Sequence, residues 1–530
     1  AAFPGCIVIA LHDDVEVCGP PDQARAALAH LLDAATQRCG LTPSGHKFTI
    51  YTMDDSSVGT PALVEVEETV ARWTGQAQLD AGKRCVAQSD GMIAAGVPIG
   101  TDSFSKACLR EKVASQERAH SQLRRLGERY TQVAYLLLRY CLVPRFCFWL
   151  RTVPPRVLQD VDADGSPSVL QTVDSRQRDT LACILTDSED ATADALPALA
   201  LEQAALPAKC GGVGLISHMA VCHAAYVAGY TVALAYMREH HTRLLVTPSA
   251  DPDGAPTSDT PALAVLRFAY ACLGTQSADG ASPLSSLLSG SPRSQHDLSE
   301  GVHEKSADEL LASLSSEADR ARVRSCGGQW AGLWLAAAPR SWFARVRGVH
   351  YSIALRVRLG VPLRELQPRD GAASVTCGGC GRAVDAFGRH YSSCKNRGNC
   401  WTHRHDCVEM SLIRQARISR ARATSWATAG NLFGTPAISS KKSLKYGYRR
   451  ADIVLWNYYA PSRHLLLDVA VADPCSATSL RAHSADTPLA AATARARVKK
   501  AKYDPLAKHA GHVFKPAVME RFGAVGDDLH

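Results

Sequence analysis

Four side chains of the kind that bind soft metals fall within one short stretch, as Cys377-x2-Cys380-x9-His390-x3-Cys394. Two cysteines two residues apart form a knuckle that presents both sulfurs to one ion. A His and a Cys separated by three close the tetrahedron from the far side of a short loop. Gly378, Gly379, Gly381 and Gly388 permit the tight turns this needs. So little of the loop is apolar that it has no core of its own, and the pattern predicts a unit whose folding energy comes from bound zinc. The other cysteines of the 18 are irregularly spaced, which argues against a disulfide scaffold.

The chain around this unit is long enough for several domains: 530 residues, 46% hydrophobic and 21% charged, which excludes wholesale disorder. Its net charge of +8 is unevenly distributed. From Gly371 to His530 there are 24 Lys and Arg against 11 Asp and Glu, and the first 370 residues carry 35 against 40. The basic character therefore belongs to the last 160 residues, where a polyanion is the natural partner. The opening, Ala1 to Gly5, has no initiator methionine or leader and reads as part of something longer. The uncharged run Gly211 to Met237 is long enough for a membrane, but its glycines, two histidines and lack of aromatic belts predict a buried helix, with no membrane partner.

Residues 6–18 predict two short strands joined by a tight turn, and Asp22 starts a helix with Gly40 just past its end. Strand-like material follows near Lys47–Tyr51 and Gly91–Ile99, and from Ser105 to Met237 the pattern is mostly helical. Residues 247–308, rich in Ser, Gly, Asp and Pro around one apolar patch, Leu263–Leu273, predict a linker or insertion.

Three further constellations carry chemistry. Asp13-Asp14 sits at the hairpin tip, where adjacent carboxylates suit a divalent cation and a phosphate, or simply a polar turn. Asp452 and Asp468 each sit on an apolar strand, 16 positions apart. An isolated acid on such a strand is costly to bury unless paired or metal-bound, and an adjacent strand pair would bring the two together over Mg2+. Edge-strand residues facing solvent would show the same pattern. Lys499-Lys500-Ala501-Lys502-Tyr503 ends an alanine- and arginine-rich helix starting near Leu489, and a lysine there can position water or stabilise charge on phosphorus. His405 and Glu409, on the helix after the knuckle, are candidates to join that site.

Taken in order, these features resemble the C-terminal half of a non-LTR (LINE-type) retrotransposon polyprotein of the class with a restriction-like endonuclease. Leu11-His12-Asp13-Asp14 looks like the aromatic-x-Asp-Asp signature of the polymerase. Gly40–Lys47 is similar to the lysine-bearing segment after it, Gly96–Gly100 to the primer grip, and Leu206–Leu215 to the glycine-rich segment beyond the thumb. The knuckle, Arg450-Ala451-Asp452, Asp468-Val469-Ala470-Val471 and Lys499-x-x-Lys502-Tyr503 follow in the family's order. The resemblance implies an α+β multidomain chain. Its parts would be a partial reverse-transcriptase palm (a β-hairpin plus helix) over 1–104, a helical thumb over 105–246, the 247–308 linker or insertion, and a helical linker over 309–376. A zinc knuckle at 377–394 and an α/β restriction-endonuclease-like core at 395–530 would complete it.

The resemblance further implies a DNA-nicking endonuclease that serves target-primed reverse transcription. Asp13 and Asp14 would be polymerase Mg2+ ligands, Asp452 and Asp468 nuclease Mg2+ ligands, and Lys499 or Lys502 the nuclease lysine. Double-stranded DNA would be the target, the element's RNA a partner of the full-length protein, and the nucleus the place of action. The sequence departs from the family at Leu11-His12, at Ala451 in place of a proline, and at Ala470 in place of a strand lysine. Fingers and the earlier palm strand are not in the sequence, so polymerase activity is not expected of these residues. The alternative expectation is a non-catalytic nucleic-acid-binding relic.

Overall fold

A computed structural model describes the chain except residues 1–2, 12–13, 41–47, 75–84, 163, 241–260, 278–292, 341–344, 368–373, 395–399, 426–431, 433–450 and 530. The fold is α+β, mostly helical, with one four-stranded sheet near the C-terminus and several two-stranded ones.

Strands β1 (Ile7–Leu11) and β2 (Asp14–Cys18) pair antiparallel as the predicted hairpin, with Ile9 opposite Glu16. Helix α1 (Pro21–Cys39) opens on a proline at its first turn, where no N–H is needed, and closes on Gly40 at φ 65°. After β3 (Ile50–Tyr51), α2 (Pro61–Trp73) and β4 (Ala87–Gln88), β5 (Gly91–Ala94) and β6 (Val97–Gly100) form a second hairpin.

The helical part follows as α3 (Asp102–Ser115), α4 (Glu117–Leu137), α5 (Cys147–Thr152), α6 (Pro155–Gln159), α7 (Val169–Thr186), α8 (Ala198–Ala205) and α9 (His218–His240). Two helical runs, Asp102–Thr152 and His218–Met237, are long and apolar enough to cross a membrane by length and composition. In α9 the residues Val221, Cys222, Ala224, Ala225 and Val227 are buried against neighbouring helices, the packing expected for the uncharged run. The stretch expected as a linker holds α10 (Pro261–Gln276) and the start of α11 (Gln295–Ser313). Leu266 and Ala269 from one, and Leu298 and Val302 from the other, share a core with α9. Next come α12 (Glu317–Gly327) and α13 (Gly348–Leu359), the latter closed by Gly360 at φ 67°.

Between α8 and α9 the glycine-rich segment passes so close to its neighbours that a Cβ on Gly212 would lie 2.0 Å from the Leu206 carbonyl oxygen. Buried Arg358 of α13 anchors it, donating to the carbonyls of Gly212 (3.0 Å), Ala208 (3.0 Å) and Cys326 (2.8 Å). Among the described residues this buried guanidinium has no ion pair, and carbonyl dipoles hold it instead.

The knuckle comprises β7 (Val375–Thr376), β8 (Ala383–Val384) and α14 (Arg389–Ser393). The C-terminal unit runs α15 (Cys400–Ile418), β9 (Ala423–Ser425), β10 (Ile453–Ala460), β11 (Arg463–Ala472), α16 (Ala477–Arg481), α17 (Ala490–His509) and β12 (Val513–Glu520). Its sheet has the order β12-β11-β10-β9; β9, β10 and β11 are antiparallel neighbours, while β11 and β12 are parallel. Parallel neighbours need a crossover, which α17 supplies. Strand β11 is covered on both faces, so it reads as a continuous apolar run. Leu465, Leu467 and Val469 pack toward Ile413 of α15, while Leu466 packs toward Tyr503 and Ala507 of α17. Leu466 is fully buried, and truncating it to Ala would cost about 2–5 kcal/mol.

Candidate functional site

The two-residue alternation of β11 decides where its one acid goes. Leu466 and Ala470 face α17, and so does Asp468 between them, 4% exposed. There it forms an ion pair with Lys499, one face of α17 having carried that lysine over the strand. Ile453 pairs with Leu467, so Asp452, one step before β10, stands opposite Asp468. Its Oδ2 accepts the Val469 backbone N–H at 2.7 Å and lies 3.1 Å from His405 Nε2 on α15. His405 Nδ1 is 3.4 Å from Asp406 and 3.9 Å from Glu409, whose side chain is largely buried one helical turn on.

These contacts set the charges. Burial pushes the Asp468 carboxyl above its ordinary range, Lys499 pulls it back, and the neighbouring Asp452 adds to the rise. For His405, burial disfavours the imidazolium, but the carboxylates of Asp452, Asp406 and Glu409 outweigh it and raise its pKa. Asp468 thus faces Lys499 and Asp452 faces His405, and among the described residues His405, Asp406 and Glu409 bring ligand atoms within 4.8 Å of one another. Of the two candidate lysines, Lys499 pairs with the Asp468 carboxylate. Lys502 turns to Tyr503, 2.9 Å from its hydroxyl and 4.5 Å from its ring centroid.

The knuckle residues converge as their spacing predicts. Cys377 Sγ lies 3.8 Å from Cys394 Sγ, and Cys380 Sγ lies 3.2 Å from His390 Nε2. All four donor atoms fall within 4.8 Å of one another. A tetrahedral ion with Zn–S bonds of about 2.3 Å separates its sulfurs by about 3.8 Å, so the cluster could hold a zinc ion. Backbone N–H groups at Gly379 and Cys380 hold the Cys377 thiol down at about 6, ready to ligate as thiolate. The loop is not without a core, because Leu363, Leu366 and Val384 enclose Cys377 and Cys394.

Sequence reasoning missed how this unit is attached. Arg389 pairs with Asp319 of α12 at 2.7 Å, and Arg521 after β12 donates to the Gly388 carbonyl at 3.4 Å. In turn, α12 meets the sheet unit through Arg324, which donates to the Ala485 carbonyl at 2.8 Å. Nothing local in the sequence signals such contacts between positions 70 to 161 residues apart.

Asp13 and Lys47 lie outside the described residues, as does the side chain of Asp14, so the proposed polymerase carboxylates are not part of this geometry. The chain matches no protein-family profile and no curated protein.

Proposed function

We propose that the C-terminal unit is a Mg2+-dependent DNA-nicking endonuclease, within a chain derived from a non-LTR retrotransposon reverse-transcriptase polyprotein. The observation that carries this reading is the register that sets Asp452 opposite Asp468, with Lys499 paired to Asp468 and His405 to Asp452. Bound Mg2+ would supply Lewis-acid stabilisation of the scissile phosphate and activation of water. Asp452 and Asp468 would hold it, with Glu409 beside them. Lys499 would position water or offset charge on the phosphorus oxygens, and His405 would orient the Asp452 carboxylate. The layout αβββαβ around the site is in keeping with the restriction-endonuclease-like core that the resemblance implies, and the local charge favours a DNA partner. In this reading the knuckle grips DNA, and the site of action is the nucleus.

The test is nicking of supercoiled plasmid by the full chain, with zinc retained, in Mg2+, in Mn2+ and in chelator, beside the Asp452→Ala protein. Metal-dependent open-circle product that the variant fails to make supports the nuclease. A folded protein that shifts DNA but never cuts it overturns it.

A second reading, a non-catalytic nucleic-acid-binding relic, is favoured by one observation. Both carboxylates already have side-chain partners within the chain, Lys499 on Asp468 and His405 on Asp452. That reading expects binding with a steep salt dependence and no metal requirement.

A further inference from the structure

The hairpin end of the sheet lies about 17 Å along β11 from Asp468. Leu455 pairs with Leu465 and Ala460 with Arg463, so residues 456–459 of β10 face His464 alone. This wide bulge is pinned by Asn457, in the left-handed region at φ 54°. The Asn457 N–H donates to His464 Nδ1 at 3.1 Å, and its Oδ1 accepts the Ser462 N–H at 2.9 Å. Beneath it, His464 packs against Trp456 and stacks on His512, each with centroids 4.7 Å apart.

The bulge turns Tyr458 and Tyr459 outward, 55% and 48% exposed, with ring centroids 5.1 Å apart and planes at 80°. The Arg463 guanidinium lies 5.9 Å from the Tyr459 ring centroid. Two adjacent exposed aromatics on a braced tip have no packing role and offer ring faces to a partner.

Charge identifies that partner. Trp456 N donates to the Arg422 carbonyl at 2.9 Å, which brings the end of α15 to this tip, and Leu465 pairs with Val513, which brings the end of α17 there. Residues 414–425, 453–467 and 505–519 together hold seven Lys and Arg and no Asp or Glu. Arg420, Arg422, Arg463 and Lys508 among them are exposed. A surface of exposed rings interleaved with cations fits a polyanion with open π faces. A duplex buries its base faces in its own stack; an unpaired strand does not.

We propose that this tip is a second nucleic-acid site that takes an unpaired DNA strand, its bases stacked on Tyr458 and Tyr459 and its phosphates on the flanking arginines. The choice of DNA rests on the nuclease reading above, since a nick is what frees such a strand.

The test is fluorescence anisotropy of the full chain with a fluorescein-labelled dT15 oligonucleotide, an rU15 oligonucleotide and a blunt duplex, across a salt series. Tyr458→Ala/Tyr459→Ala should weaken dT15 binding by about tenfold or more and leave duplex binding unchanged. Tyr458→Phe/Tyr459→Phe should bind dT15 like the parent, because the rings remain. Arg422→Gln/Arg463→Gln should flatten the salt dependence. Unchanged dT15 affinity in the alanine protein overturns the site, and so does rU15 binding tenfold tighter than dT15. Plasmid nicking by the same proteins is read separately. Tyrosine-dependent dT15 binding without nicking sinks the nuclease and keeps the site, while nicking without it does the reverse.

Discussion

Lys499 on α17 closes over Asp468 on β11, a carboxylate 31 positions earlier in the chain, and the two side chains are 17% and 5% exposed. The strand position where the retrotransposon resemblance expects a lysine is filled by Ala470, which packs against Ala492 and Val518. The cation that meets Asp468 comes instead from the crossover helix.

Replacing Lys499 with Met leaves Asp468 buried beside Asp452 without its counter-charge. Removing one partner of a buried pair is costly, and a loss of about 2–4 kcal/mol at neutral pH is expected. A carboxyl whose folded pKa lies above its unfolded value favours the fold at low pH, and that advantage is lost as pH rises through the folded pKa. The penalty should therefore shrink as pH is lowered. Urea unfolding of both proteins at pH 5 and pH 7.5 checks this, and an equal penalty at both would contradict it.

On the proposed nuclease reading, Asp452→Ala and Asp468→Asn should each reduce plasmid nicking by about 10²-fold or more, because each removes a carboxylate that would hold the metal. DNA affinity should hold or rise, since a negative charge leaves a basic surface. Anisotropy with duplex DNA and the nicking assay separate the two effects. Survival of nicking in both variants would mean that the metal site lies elsewhere.

Outside the C-terminal unit, His218 at the start of α9 hydrogen-bonds Asp174 of α7 at 2.9 Å and the Val143 carbonyl at 2.9 Å. Burial alone would lower its pKa, but Asp174 overrides that and raises it to about 9. With an unfolded value of 6.5, the charged histidine stabilises fully below about 6.5, and that stabilisation is lost as pH rises through about 9. The melting temperature should fall across that window. His218→Gln should remove that part of the slope, and an unchanged slope in the variant would show that the pair does not titrate so.

Zinc should be present at about one equivalent per chain and fall to near zero in Cys394→Ser. Affinity should weaken as pH drops through about 6, where Cys377 takes up its proton. Elemental analysis after dialysis at pH 7.5 and pH 5 reads this directly. Full zinc retention in the serine protein would exclude the four-residue site.

Much of this site was legible because its signals are local. The Cys377–Cys394 spacing specifies one ion, the acid-bearing apolar strands specify neighbours, and Gly40 marks the end of α1. His405 and Glu409 were legible as candidates only, because a helix face looks the same whether it meets solvent or a strand. The first part of helix α11 reads as linker because it opens in Ser294-Gln295-His296-Asp297, and Leu298, Val302 and Leu310 are its main buried anchors. The parallel pairing of β11 with β12 and the seat of α12 on the sheet unit depend on contacts between distant residues, which no window of sequence holds.

The pairing of Arg389 with Asp319, with Arg521 reaching Gly388, has a consequence for where a cut would fall. If, as proposed, the knuckle grips DNA and the sheet unit cuts it, the docking helix they share would make them a ruler. The offset in base pairs between the gripped position and the nick would be set by the protein and hold constant whatever sequence lies between them. Severing the Arg389–Asp319 link would blur that offset before it abolished cutting.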